Sequence, residues 1–176
     1  MDEDVSLGRL VHKPMPGYEY FQWTVAKPTH PLSIQLLTFW EDCEERGGMR
    51  MGRDVPSKAI QGLLHNLRVT EPIGNWDDAI VRLAGQMYFE RLGRNISGMR
   101  NSEVYRDNPD FGRQLLDIAR RVCADRVPEF LVSTVSIGST EVMKFESVGV
   151  PIYAPDGIGR WIVGGTFQFD TLTSLI

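Results

Sequence analysis

The sequence predicts an α+β fold, a five-stranded antiparallel sheet with helices on one face and an N-terminal helical extension. Two observations carry that reading. Runs of β-branched and aromatic residues, punctuated by glycine and proline, group at the two ends of residues 66–169, as strands do. Between them lie segments whose apolar residues recur every three or four positions, the period of a helix. The resulting order of two strands, three helices and three strands closes as one antiparallel sheet backed by helices.

Residues 1–30 are the least regular part, interrupted by Pro14, Pro16 and Pro28. Tyr18, Tyr20, Phe21, Trp23 and Val25 crowd together there, so this stretch is expected to pair as an edge strand or to cover an apolar surface. Thr29 and Pro31 suit the cap and first turn of a helix running to Arg46. Leu32, Leu36, Phe39, Trp40 and Cys43 make one side of that helix apolar, and Gly47-Gly48 stops it. Residues 1–48 therefore read as an extension that caps the fold or dimerises it, and 49–176 as the core domain.

Within the core, Asn66–Ile73 and Asp77–Ala84 read as strands joined at Gly74-Asn75. Gly85 permits a sharp exit, Gln86–Leu92 a short helix, and Gly93 its stop. Short helices continue to Arg106. Asp110 then opens a longer helix with Phe111, Leu115, Ile118, Ala119 and Val122 on one face, ended by Pro128. Strands follow at Phe130–Ile137, Val142–Tyr153 and Arg160–Phe169, the last two joined by the turn Pro155-Asp156-Gly157.

Arg82, Leu83, Gly85, Gly93, Arg94, Asn95, Ile96, Ser97 and Gly98 stand in the order Arg-Leu-x-Gly, then Gly-Arg-(Asp/Asn)-(Leu/Ile)-(Thr/Ser)-Gly. Upstream, a helix with Leu37, Phe39 and Trp40 precedes Arg53-Asp54-Val55-Pro56. In these residues the chain resembles the stand-alone bacterial PAS-like family of alphaproteobacterial type, over residues 32–170. It departs at Met51-Gly52, where the family has Pro-Ser. The resemblance implies a PAS-like sheet with a pocket walled by short helices. It also implies a sensory or protein-interaction module of bacterial signalling that acts without an attached effector, as a homodimer through its N-terminal segment.

Strand parity suggests which residues face that pocket. Lys144 and Glu146 belong outside, which leaves Met143 and Phe145 inward. Leu131, Val135 and Ile137 share a parity, and Phe167 and Phe169 lie opposite Thr166 and Gln168. Met143, Phe145 and Phe167, with Tyr88, Phe89 and Tyr105 from the short helices, either pack as core or line a cavity for a small apolar ligand. Arg82 lies in an otherwise apolar strand, so its head is expected to meet Glu71 or Asp54, or else a ligand anion.

Nineteen basic residues against 23 acidic ones, a net charge of −4 without a basic cluster, disfavour nucleic acid or an anionic membrane as partner. No apolar run is long enough for a bilayer and Met-Asp-Glu-Asp lacks a basic signal head, so a cytoplasmic setting is expected. His12, His30 and His65 fall outside the expected pocket and the long helix carries none, which disfavours haem. Cys43 and Cys123 read as buried small hydrophobes, which disfavours covalent flavin chemistry. No cofactor, metal or catalytic residue is expected. The sequence carries no nucleophile elbow, phosphate loop or zinc spacing. The alternatives are a small cone-shaped α+β isomerase or hydrolase and a ligand-free dimerisation scaffold.

Overall fold

Leu67 and Val69 alternate with Arg68 and Thr70, and this two-residue period gives the sheet two different faces. The computed structural model describes residues 17–170; His12, Pro14 and Pro16 lie outside them. The strands are β1 (Tyr18–Val25), β2 (Leu67–Ile73), β3 (Asp78–Ala84), β4 (Glu129–Ile137), β5 (Thr140–Tyr153) and β6 (Arg160–Gln168). The helices are α1 (Pro31–Glu45), α2 (Gln86–Leu92), α3 (Asn101–Val104) and α4 (Pro109–Asp125), with a 3-10 segment at Lys58–Asn66. The strand order is β1-β4-β5-β6-β2-β3, antiparallel at each pairing.

Two features correct the expected architecture. The sheet has six strands, because the aromatic segment pairs with β4 from Tyr18↔Ile137 to Val25↔Phe130. Its helices also cover both faces. Leu36, Trp40 and Cys43 of α1 pack with Val69, Val148, Val163 and Phe167 on the outer face. The apolar side of α1 is thus used within the chain, and the outer-face core crosses the boundary drawn at residue 48. On the inner face, α4 packs Leu116, Ile118 and Ala119 against Leu131 and Ile162.

Burial of α1 is anchored at its first residues. Glu146, placed outside by parity, is indeed on the outer face but fully buried there. Its carboxylate accepts from the Thr29 amide at 2.9 Å, the Thr29 hydroxyl at 3.1 Å and the His30 amide at 2.9 Å. Parity alone reads a glutamate as solvated; here the chain entering α1 supplies its donors. His30, not Thr29, is the N-cap, its Nδ1 accepting from the Leu32 amide. Its ring stacks on Phe167 at 5.5 Å. Farther along, the Trp40 indole donates to the Pro151 carbonyl at 2.7 Å.

The Gly93–Gly98 motif is a structural device. Gly93 closes α2 in the left-handed region (φ 69°), and Asn95 accepts from the Ser97 amide. Buried Ile96 plugs the inner core. The Gly98 amide donates to the Val81 carbonyl at 2.7 Å, while Val81 donates back to the Met99 carbonyl. This loop therefore covers the edge of β3 that would otherwise stay unpaired. Gly85 is needed for a different reason than a turn: its φ of −69° is ordinary, but a Cβ would collide with the Leu64 and His65 carbonyl oxygens.

Adjacent glycines in β6 serve opposite faces. A Cβ on Gly165 would meet the Phe167 ring at 2.9 Å and Leu36 at 3.2 Å, whereas one on Gly164 meets nothing nearer than the Arg68 carbonyl at 3.9 Å. Gly165→Ala is therefore expected to cost about 1–3 kcal/mol by overpacking, and Gly164→Ala to stay within about 0.5 kcal/mol of the parent; denaturant unfolding of both variants checks the contrast. Glu146→Ala strands buried amides at the start of α1 and is expected to lose about 2–4 kcal/mol in the same assay.

Candidate functional site

On the inner face, the floor of the sheet is made of small residues. Gly149 and Gly164 lie side by side in the β5–β6 register, next to the Ser147↔Thr166 pair. Helices α2, α3 and α4 lie over this floor, and α4 reaches it at one end, where Leu116, Ile118 and Val122 pack with Leu131 and Ile162. A cavity of about 150 Å3 remains between Tyr88 and Arg91 of α2, Tyr105 beside α3, Phe111 and Ile118 of α4, and the sheet. Tyr20 of β1 closes one side, its hydroxyl donating to Ser133 at 3.0 Å and its ring edge-on to Phe111.

Trp76 closes another side. It adopts a left-handed backbone (φ 63°) in the β2–β3 turn, where a bulky residue is rarely found. Arg120 holds this turn through the Asn75 and Trp76 carbonyls. The buried indole packs with Leu116, Ile118 and Ile162.

Arg68 is the charged group at the centre of the site. It projects from β2 opposite Gly164 and lines the cavity half-buried. Nη1 donates to the Tyr105 hydroxyl at 2.8 Å, and the guanidinium lies 5.8 Å from both the Tyr88 and Tyr105 ring centres. Among the described residues no carboxylate pairs with it. Arg91 also lines the cavity, with its guanidinium 4.8 Å over the Phe145 ring, and burial pulls its pKa below the ordinary arginine value. Burial pushes the Tyr88 hydroxyl up, against the opposing pull of Arg68, so it remains a neutral phenol. Burial likewise raises the Tyr20 pKa. The one carboxylate at the cavity wall among the described residues, Glu129, is held by Arg121 at 2.7 Å.

The sequence-derived candidates divide between this site and elsewhere. Tyr88 and Tyr105 line the cavity. Phe145, fully buried, and Met143 pack beside it in the inner core with Val135 and Ile96. Phe167 points to the outer face under α1, because Thr166 and Gly164 take the inner parity. Phe89 is exposed on the far side of α2. Arg82 pairs with Glu71 at the surface and does not reach the cavity, so of its expected partners it meets the structural one; Asp54 pairs instead with Arg53 and accepts from the Arg50 amide. Arg68, Arg91, Tyr20 and Trp76 were missed. The available signal for Arg68 was a lone arginine on the parity opposite Leu67 and Val69 within a strand.

A comparison with known protein families finds no match, and no curated protein matches either. Among solved structures, the PAS domain from Bordetella pertussis BvgS is similar to part of the chain, at 18% identity over 63% of this chain and 81% of that one, with a TM-score of 0.48. No helix among the described residues is long and apolar enough to cross a membrane.

Both cysteines are buried away from the cavity wall. Burial pushes the Cys123 thiol up to about 12 and raises that of Cys43. Neither is therefore expected to react with a thiol reagent in the native protein, while both react once it is unfolded. For Cys123 the unfolded thiol ionises near pH 9 and the folded one near 12, so its contribution to stability is complete below pH 9 and is lost as pH climbs toward 12. Thiol labelling and alkaline unfolding of the parent, compared with Cys123→Ala, check both statements.

Proposed function

We propose that the chain is a PAS-like sensory module that binds a small, largely apolar ligand between its sheet and short helices and signals to a protein partner. The cavity carries the reading. Its floor of glycine, serine and threonine is covered by helices that leave space above it, as a ligand pocket requires. The element order of two strands, three helices and three strands supports the PAS-like assignment. Among the described residues, the polar side chains around the cavity are arginines, tyrosines, serines, two threonines, a tryptophan, a glutamine and an asparagine, with one carboxylate already bound by Arg121, which suits binding better than acid–base chemistry.

Strand β1 offers a route from ligand to surface. Tyr20 and Gln22 face the cavity, while Phe21 and Trp23, alternate to them, stand half-exposed on the outer face. An occupant that moves Tyr20 moves the strand that presents those aromatics. We place self-association of the chain on this N-terminal strand, since the apolar side of α1 is already buried.

Native mass spectrometry of the purified chain, together with NMR titration by toluene, tests the pocket. A copurifying molecule, or toluene-induced shifts at Tyr88, Tyr105 and Tyr20, is expected. A cavity that takes up neither overturns the reading.

A further inference from the structure

Resting on the pocket reading above, we infer that the cavity selects a small organic monocarboxylate, a single aromatic ring or short branched chain whose carboxylate is held by Arg68. The size of the space sets the body of the ligand. About 150 Å3 is the volume of a cavity that accepts one benzene ring in a protein interior. Larger fused-ring cofactors do not fit without displacing side chains.

The distribution of polarity sets its head. A guanidinium has five N–H donors, and the Tyr105 oxygen takes one of those on Arg68. An enclosed cation without a counter-ion is costly, and the cost falls when an anion meets it with good geometry. Among the described residues no carboxylate serves here: Glu71 is taken by Arg82 and Glu129 by Arg121. Arg91, on the same wall, adds a second positive charge. Planar, forked donors match a carboxylate bidentately. The Tyr88 and Tyr105 rings flank the guanidinium, and Tyr88 keeps its proton.

The two ends of the cavity differ along the strands. In the β2–β6 register Arg68 stands opposite Gly164, and Thr70, two residues on, opposite Ile162. The first pair marks the charged end. The second lies against Trp76, Leu116 and Ile118, which form an apolar end about 7 Å away at the usual strand rise. That separation suits a molecule with a carboxylate at one end and a hydrocarbon ring or branched chain at the other.

The test uses the full chain with benzoate, its neutral isostere benzamide, and toluene, followed by calorimetry and NMR. Benzoate is expected to bind about tenfold or more tighter than benzamide, the effect of one charge-assisted pair. Arg68→Met is expected to bring benzoate down to the benzamide level, Arg68→Lys to leave an intermediate affinity, and Gly164→Val, which fills the floor while keeping the Arg68 charge, to block all three probes. Circular dichroism and thermal melting confirm that each variant is folded. Equal binding of benzoate and benzamide, or benzoate binding unchanged in folded Arg68→Met or Arg68→Lys, overturns the carboxylate inference and leaves the pocket standing. Failure of all three probes on the parent chain overturns the inference and the pocket reading together.

Discussion

The buried Glu146 carboxylate is the contact on which the two-sided architecture depends. It sits in the middle of β5, between Val132 and Phe167 in the outer-face register, where a charged group has no water. Its oxygens are satisfied by the chain entering α1, at Thr29 and His30. A buried carboxylate of this kind is tolerated only while its donors are in place. The start of α1 is therefore held at one point on the sheet, and Leu36, Trp40 and Cys43 follow onto the outer face at helical spacing. The opposite end of α1 is tied by Glu44, which pairs with Arg126 at the end of α4 at 2.6 Å. One helix thus bridges both layers.

With the outer face closed by α1, the inner face has latitude. Large side chains pack densely on the outer side, Phe167 and Leu36 pressing against the backbone of Gly165. On the inner side, Gly164 and Gly149 leave space that α2 and α4 roof over. Protein interiors ordinarily close such gaps. Here the elements around the gap are fixed from several sides: Ile96 and the Gly98 loop bind the α2 region to β3, Arg120 braces the Trp76 turn against α4, and α4 packs on Leu131 and Ile162.

Much of the fold was legible in the chain. Period-two strands, period-three-to-four helices and the Pro155-Asp156-Gly157 turn all follow from local sterics, and the strands expected at 66–73 and 160–169 end within a residue of those observed. The aromatic run before α1 was legible as a strand or a cover, but which of the two depended on a partner 113 residues away, Ser133 for Tyr20. The site was less legible. Tyr88 and Tyr105 were drawn from aromatic composition of the short helices. Arg68 was passed over and Arg82 singled out, because both are arginines within strands and only the neighbouring strand tells them apart: Arg82 meets Glu71, Arg68 meets a glycine.

The sequence by itself determined element type, order and most boundaries, since propensity, capping and turn chemistry act over a few residues. It also determined which residues share a strand face, because that alternation is a property of the backbone. Tertiary structure alone decided which face is which. Glu146 and Phe167 share the parity that α1 buries, and Thr166, Gly164 and Arg68 share the one that borders the cavity. Pairing between strands distant in the chain sets those assignments, and a register shift of one residue would have exchanged them.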